Sequence, residues 1–480
     1  PYEHGEVFVT RDGFECDLDM GNYERFLDIF ATKEQNLMMG SVYKAVVEKE
    51  RRGEFLGTTV QLIPHATNEV KSRIRNAAKV TGAEVLVIEI GGTVGDIESD
   101  VVLEAARQMR FENGSSPSVL FIHLALVPRI TTNEQKTKPM QHSVKALLSK
   151  GITPDLLVAR SDSMINDGTK KKIALMCNVL ADSVFCSHNL DNVYHLPRLL
   201  QEQGLLENIS KKLELKIKKA GKDPWDPLLE KWENSKEERR IAVVGKYAQT
   251  TKDTYMSVFE ALRHAAIHAG IKAWFDFINS EDVEKNLVDL NAYNGFLIPG
   301  GYGARGTEGK ISVIKHAREN KIPLLGICYG LQLSVIEIAR NLCNLKDANS
   351  TEINPSTKYP VIDMLPEQKT IEDKGGTMRL GAYDISLKKG TKAYDLYKHE
   401  MKNDQVFKRF RHRFEVNPEY VSQLEKAGLV FSGKDPKREI MKIIEFPDHP
   451  FLMGCQYHPE FDSRLERPEP LYLAFMKATL

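Results

Sequence analysis

Leu324-Leu325-Gly326-Ile327-Cys328-Tyr329-Gly330-Leu331-Gln332 decides the reading of the second half of this chain, because it sets a cysteine at a sharp strand-to-helix turn. Ile322-Pro323-Leu324-Leu325 is short and apolar, as a buried parallel strand is, whereas Leu331, Val335, Ile338 and Leu342 recur at helical spacing. Cys328 therefore stands where a helix begins. The positive end of the helix dipole and the free backbone N–H donors there both favour thiolate, the nucleophilic form. Gly326 and Gly330 flank it and let the backbone turn tightly. A cysteine by itself is more often a small buried hydrophobe, so the reading depends on its partners.

Two further segments supply them. Phe451-Leu452-Met453-Gly454-Cys455-Gln456-Tyr457-His458-Pro459-Glu460 is a strand-like run that ends in His-Pro-Glu. Residues two apart on an extended segment face the same side, so Glu460 can hold the imidazole of His458 while His458 faces a nucleophile, the logic of a catalytic triad. Phe296-Leu297-Ile298-Pro299-Gly300-Gly301-Tyr302-Gly303 is a strand running into glycines whose N–H groups can receive a developing oxyanion. Each segment alone has a bland explanation; the three together, in this order, do not.

The constellation resembles the class I glutamine amidotransferases, which carry a G-x-C-x-G elbow, an upstream glycine-rich oxyanion turn and a closing H-P-E. The resemblance implies a flavodoxin-like glutaminase domain in which Cys328 is the nucleophile, His458 the base and acid, and Glu460 the group that orients it. The oxyanion hole would be the N–H groups of Gly301 and Tyr329. Tyr329 stands where the family commonly has leucine; since the backbone N–H does the work, the change is expected to alter packing rather than chemistry.

At 480 residues the chain is long for one core and suggests two domains. Lys plus Arg equals Asp plus Glu, 66 against 66, which gives no general basis for binding nucleic acid or a membrane surface. Cys16, Cys177, Cys186, Cys328, Cys343 and Cys455 show no C-x-x-C pairing, against a disulfide framework or structural zinc and in favour of a reducing cytoplasm. No apolar run approaches the ~18 to 20 residues that cross a bilayer, and no signal-peptide pattern opens the chain. Residues 211–240 are charged and mostly polar, with Gly221-Lys222-Asp223-Pro224-Trp225-Asp226-Pro227 inside, before Ile241-Ala242-Val243-Val244-Gly245 starts a new buried strand. The expected division is 1–219, a linker at 220–238, and 239–480. Beyond the linker strands alternate with helices, which predicts an α/β fold with a parallel sheet covered on both faces.

In the first half, Val85-Leu86-Val87-Ile88-Glu89-Ile90-Gly91-Gly92-Thr93-Val94-Gly95-Asp96-Ile97-Glu98-Ser99 reads as an apolar strand opening through glycines into a helix that begins near Ser99. Ligands of open α/β sheets collect at such strand ends. Glu89 is out of place among apolar neighbours unless it meets a cation, which suggests Mg²⁺, and the acidic run Cys16-Asp17-Leu18-Asp19 offers further carboxylates. Lys136-Thr137-Lys138-Pro139-Met140-Gln141-His142-Ser143 sets two lysines and a glutamine just before a helical segment, an arrangement suited to a triphosphate. Arg160 ends the apolar run at 156–159, and Lys172 lies in a loop-to-helix stretch.

These segments, with His4-Gly5-Glu6-Val7-Phe8-Val9-Thr10, Lys49-Glu50-Arg51-Arg52-Gly53 and Gly375-Gly376-Thr377-Met378-Arg379-Leu380-Gly381, resemble the CTP synthase family over nearly the whole chain. The resemblance implies a P-loop-like amidoligase (synthetase) domain ahead of the glutaminase. It would use ATP and Mg²⁺ to phosphorylate O4 of UTP, after which ammonia displaces phosphate to give CTP. On the same resemblance, Asp19 and Glu89 are the Mg²⁺ carboxylates and contribute to the ATP site, with Arg160 near ATP. Lys136, Lys138, Gln141 and Lys172 are triphosphate contacts for UTP or CTP, and Asp96, Ile97 and Glu98 recognise CTP as feedback inhibitor. Glu352, Arg413 and Gln332 form the glutamine clamp, in which a carboxylate suits the α-amino group and a guanidinium forks onto the α-carboxylate. Arg305 belongs to the region that responds to the activator GTP, His4 and Val7 resemble residues at the mouth of an ammonia channel, and the assembly is a homo-tetramer.

One feature departs from the pattern. The family opens with a strand and a phosphate loop ending Gly-Lys-Gly, whereas no G-x-x-x-x-G-K-[ST] occurs here, and a backbone cradle for phosphates is hard to replace with side chains. Pro1 is an unusual start, so roughly fifty preceding residues are expected to belong to the protein. Without them glutaminase chemistry is expected to survive and UTP phosphorylation to fail. Two other readings were weighed, a different glutamine-dependent nucleotide ligase and an inactive nucleotide-sensing scaffold. The paired 90–99 and 136–143 segments argue against the first, and the intact Cys328, His458, Glu460, Glu352 and Arg413 against the second.

Overall fold

Short apolar strands buried on both faces build the sheet that carries the elbow. The computed structural model describes residues 5–112, 118–130, 134–216, 223–246, 252–364 and 378–480. Its contacts separate two units, Pro1–Lys33 with Pro224–Leu480, and Glu34–Asp223.

In the first unit the strands are β1 (Glu237–Gly245), β2 (Ile271–Asn279), β3 (Gly295–Ile298), β4 (Leu324–Ile327), β5 (Arg379–Leu387), β6 (Gln405–His412), β7 (Val430–Lys434), β8 (Met441–Glu445) and β9 (Leu452–Cys455). They form one sheet in the order β6-β5-β7-β8-β9-β4-β3-β1-β2. The run β2-β1-β3-β4-β9 is parallel throughout, which is the flavodoxin-like order. Helices α1 (Met256–Ala269), α2 (Thr307–Asn320), α3 (Tyr329–Asn341) and α4 (Pro470–Ala478) cover it. Ile241, Val243, Leu297, Leu325 and Met453 pack with Leu262 of α1 and Phe475 of α4. Their alternates Ala242, Val244, Phe296, Ile298, Leu324 and Leu452 pack with Ile314 of α2 and Val335 of α3. This two-sided burial is why these strands read as continuous apolar runs. The strands β8, β7, β5 and β6 extend the sheet antiparallel beyond β9, so the sheet is mixed, where the sequence predicted a parallel one.

The unit boundary also differs from the expected one. Residues 5–33 group with the C-terminal half, and the expected linker at 220–238 contains the helix Asp226–Glu233 and the start of β1. The reason for the first difference is a buried charge cluster. Glu24, on the helix Asp19–Leu27, meets Arg409 at 2.9 Å and Arg464 at 2.7 Å, and Arg409 also meets Asp462 at 2.9 Å. Burying such charges is costly unless they are paired, and partners more than 380 positions apart leave no local pattern to read.

Glu6 makes a second tie. Its carboxyl accepts from the Ser257 N–H at 3.1 Å and from the Ser257 hydroxyl in the first turn of α1, and Arg25 Nη1 donates to that hydroxyl at 3.0 Å. Burial outweighs these hydrogen bonds and lifts Glu6 to about 7. A carboxyl raised in the folded state contributes stability that is complete below its ordinary value near 4.5 and lost as pH rises through about 7. Glu6→Gln removes that dependence. Melting curves of the variant and the parent are expected to diverge by ~3 kcal/mol in favour of the variant between acid and pH ~8; a constant difference across that range contradicts the assignment.

The second unit holds a parallel sheet of Ile122–Leu126, Leu156–Arg160 and Val184–Ser187. The helices Lys138–Ser149 and Asp167–Cys177 make the crossovers, and Met39–Arg51, Thr67–Thr81 and Asp100–Glu112 precede them. Among the described residues, the strand expected at 85–90 has no ladder partner, and Val87 is 88% exposed. Apolar composition sets a preference for extended backbone, but a strand exists only where a neighbour supplies the other half of its hydrogen bonds. Among the described residues, no helix is long and apolar enough to cross a membrane.

Candidate active site

The ends of three adjacent parallel strands, β3, β4 and β9, converge on one point. After Ile327 the chain turns at Cys328 with φ 51° and ψ −98°, a left-handed and strained conformation for a side-chain-bearing residue, and enters α3 at once. The Cys328 N–H donates to the Cys455 carbonyl at 2.6 Å, which ties the elbow to the end of β9. From β3 the chain passes Pro299 into Gly300. A Cβ there would lie 2.9 Å from His458 Cε1 and 3.8 Å from Cys328 Cβ, so a glycine is what lets these three strand ends meet.

His458 Nδ1–H donates to Glu460 Oε1 at 2.7 Å. The sequence placed this pair on one side of an extended segment; instead the strand stops at Cys455 and Glu460 lies in a 3₁₀ turn, Pro459–Asp462, which brings it back to the ring. The imidazole stacks on Phe461 with centroids 5.3 Å apart. Burial opposes its charge, but Glu460 and then Cys328 outweigh burial and hold the imidazole up at about 10. The site therefore favours the imidazolium form of His458. Cys328 Sγ also lies 3.7 Å from the Arg411 carbonyl and 3.5 Å from Gln456 Nε2.

Among the described residues, the N–H groups of Gly301 and Tyr329 donate to no carbonyl, as an oxyanion hole requires. The Tyr329 hydroxyl does more than fill space. It donates to the Gly303 carbonyl at 2.7 Å and pairs with Thr307 Oγ1 at 3.0 Å, tying the elbow to the start of α2. Gly303 N–H donates to Glu352 Oε1 at 3.0 Å, and burial raises Glu352 above the usual carboxylate range. Arg413 is half-buried at the junction of β6 with the strand Phe414–Val416. Gln332, on α3, spends its Nε2 on the Phe414 carbonyl at 2.7 Å and on Gln456 Oε1 at 3.3 Å. Arg305 is exposed, with Nη2 donating to the Lys246 carbonyl at 3.1 Å.

The sequence reading passed over two residues here. Lys310, in the first turns of α2, is buried with its Nζ 3.6 Å from the position a Cβ on Gly301 would take and 5.2 Å from the Tyr329 ring centroid. Burial and then the Lys246 charge lower it to about 7. Gln456 is the other, and no local sequence signal identifies it; its side chain lies 3.5 Å from Cys328 Sγ only in the folded chain.

In the second unit Glu89 is exposed, beside Gly91. Asp96 accepts from the Thr93 N–H at 3.1 Å in a turn, and Ile97 and Glu98 are exposed just ahead of the helix that starts at Asp100. Lys136 pairs with Glu134 at 2.5 Å, and Lys172 is near enough to add to the lowering of Glu134 that Lys136 causes. The helix starts at Lys138, earlier than the sequence suggested, so Gln141 is inside it, buried, with Nε2 donating to Thr137 Oγ1 at 2.9 Å. Arg160 ends its strand and donates to the Ser161 carbonyl at 2.6 Å and to Asn189 Oδ1 at 2.7 Å. Asp19, in the first unit, is exposed at the start of its helix; Val7 lies in the strand Val7–Val9. His4 and residues 375–377 lie outside the described residues.

Comparison with known proteins gives the family. Residues 1–215 match the family model of the CTP synthase N-terminus, and residues 250–478 that of class I glutamine amidotransferases. CTP synthase of Pyrococcus abyssi is 50% identical over 482 residues, covering 100% of this chain and 88% of the relative. CTP synthase of Shouchella clausii is 48% identical over 483 residues, covering 100% and 89%. A solved Trypanosoma brucei CTPS glutaminase domain with bound acivicin is 35% identical, covers 50% of this chain and 93% of its own, and superposes with a TM-score of 0.47. Matched from end to end at this level of identity, and with both halves recognised, the chain belongs to the CTP synthase family.

Proposed function

We propose that this protein releases ammonia from glutamine at Cys328 and uses it, with ATP, to convert UTP into CTP through a 4-phosphorylated intermediate. The observation that carries the reading is the meeting of Cys328, the His458–Glu460 pair and the Gly301 turn at three neighbouring strand ends. The Cys328 thiolate attacks the side-chain amide carbon of glutamine, and the N–H groups of Gly301 and Tyr329 receive the oxyanion. His458, oriented by Glu460 through its Nδ1–H, gives its Nε2 proton to the departing nitrogen, and ammonia leaves a glutamyl thioester. The now neutral imidazole takes a proton from water, which attacks the thioester carbonyl. Collapse expels the thiolate and releases glutamate.

Glu352 and Arg413 hold the α-amino and α-carboxylate groups of glutamine, with Gln332 beside them. Residues 1–219 act as the synthetase and 239–480 as the glutaminase. In the synthetase Lys136, Lys138, Gln141 and Lys172 serve the triphosphate of UTP, Arg160 serves ATP, and Asp96, Ile97 and Glu98 recognise CTP as inhibitor. Mg²⁺ takes one or two carboxylates and completes its shell with phosphate oxygens and water; Glu89 of the second unit is an exposed carboxylate suited to that part, and Asp19, exposed in the first unit, is proposed for it on the family resemblance alone. Bound there, it would neutralise the phosphates of ATP. GTP acts through the Arg305 region, the protein works as a homo-tetramer in the cytoplasm, and the family match over 1–215 supports UTP over a purine acceptor.

The test is absorbance detection of CTP from UTP, ATP, Mg²⁺ and glutamine by the full-length protein, with and without GTP. CTP formation with stoichiometric glutamate is expected. Glutamate release with UTP left unchanged would overturn the acceptor assignment while leaving the glutaminase intact.

A further inference from the structure

We infer that Gln456 is a positioning residue of the glutaminase, whose side-chain amide donates to Cys328 Sγ and holds the sulfur as thiolate for attack. The inference rests on Cys328 being the nucleophile. Gln456 is 0% exposed, directly after β9, and its N–H is anchored to the Lys442 carbonyl at 2.8 Å on β8. With its backbone held on a strand end and its side chain enclosed, the amide has one place to go. Nε2 lies 3.5 Å from Cys328 Sγ.

Which end of the amide faces the sulfur follows from a chain of contacts that begins at a backbone carbonyl. The Phe414 carbonyl can only accept, so the end of Gln332 that lies 2.7 Å from it is the NH₂ group. That NH₂ also faces Gln456 at 3.3 Å, which makes the facing atom of Gln456 its oxygen. The NH₂ of Gln456 is thereby turned onto Cys328. An N–H donated to sulfur favours the thiolate over the thiol, because the hydrogen bond is stronger to the charged form. Gln332 acts through Gln456 in this arrangement: it sets the amide rather than touching the sulfur.

The other ionisable groups around the sulfur work with or against this donor. His458, beyond the end of β9, supplies the opposite charge, and Glu460 acts through it. Cys455, on β9, is fully buried with its thiol pushed well up by burial, so it stays neutral and bonds the Tyr457 carbonyl at 3.4 Å. The Arg411 carbonyl, 3.7 Å from Sγ, is placed to accept a hydrogen bond from a thiol and offers nothing to a thiolate. Without the Gln456 amide, that carbonyl is left as the sulfur's neighbour on the side away from the imidazole.

The test is alkylation of Cys328 by iodoacetamide, followed by mass spectrometry of the full-length protein at about pH 6.5 and about pH 9, in the parent and in Gln456→Met, which keeps the length and loses the donor. The expected result is a fall of about tenfold in the rate at the lower pH with little change at the higher, and a matching fall in glutaminase kcat with KM kept. A merely structural role would lower both rates alike or neither. Gln332→Met, which frees the amide to turn, is expected to give a smaller fall of the same kind, and it decides the question if the first variant does not fold. Equal pH dependence in the folded variant and the parent overturns the inference. Because alkylation needs no glutamine, that result is separate from failure of the nucleophile assignment, which Cys328→Ala alone tests.

Discussion

Cys328→Ala is expected to lower glutamine hydrolysis by at least ~10⁴-fold, the scale on which single removals of a nucleophile act. No other group can take its place. The neighbouring thiol, Cys455, is fully buried and turned to the Tyr457 carbonyl, and the remaining sulfurs belong to other cores or to the far end of α3. The loss should be confined to one half of the reaction. In the full-length protein, CTP formation supported by added ammonia should stay within about twofold of the parent, because the variant changes no group in the synthetase half. Glutamate release and CTP formation, measured side by side with glutamine and with ammonium, distinguish the outcomes. Undiminished glutamate release from the variant removes the basis for a cysteine-dependent mechanism.

Gly330→Ala tests the elbow itself and should be nearly as damaging. A Cβ on Gly330 would stand 2.2 Å from the Ile298 carbonyl oxygen and 3.0 Å from Ile298 Cβ. Neither atom can retreat, because Ile298 is paired in register with Gly326 across β3 and β4, and both strands are fully buried. Relief can come only by moving α3 off the sheet. That shift breaks the packing of Leu331 and Val335 and carries the Tyr329 N–H out of line. Overpacking against a fixed backbone belongs among the severe single changes, here about 4 kcal/mol or more, or a fall of roughly 10 °C in the melting temperature for a unit of this size. Glutaminase activity should be lost with it. A variant that melts with the parent and hydrolyses glutamine normally is incompatible with the close approach described.

The glutaminase half was legible because its chemistry sits at strand ends. An apolar run leads within ten positions to the reactive thiol at Cys328, to the glycine turn at Gly301 and to the imidazole at His458, so local pattern and function coincide. Parallel strands buried on both faces added a signal that few alternatives imitate. The reading was weaker wherever a residue's role depends on something distant. The segment at 85–90 has the composition of a strand and, among the described residues, no ladder pairing. Gln141 lies within its helix rather than ahead of it, with its amide on Thr137 Oγ1, a placement that the local pattern does not give. Residues 5–33 fall within the match to the CTP synthase N-terminus, yet they pack with the second half, where Glu24 and Glu6 bind Arg409, Arg464 and Ser257. Gln456 passed unnoticed because an amide carries no charge and no motif; its meaning comes from the sulfur beside it.

By itself the order of residues determined the elbow, the alternation that buries its strands, and the likeness to amidotransferases that act on a pyrimidine nucleotide, since each is written within a few consecutive positions. Tertiary structure alone decided that Glu460 reaches His458 from a turn, that four antiparallel strands extend the sheet, and which buried charges tie the first 33 residues to the second half. The physical reason is the range of the interactions. Periodicity and turn chemistry act between neighbours, whereas pairing of strands, pairing of buried charges and orientation of a buried amide are settled only when distant segments displace water from one another.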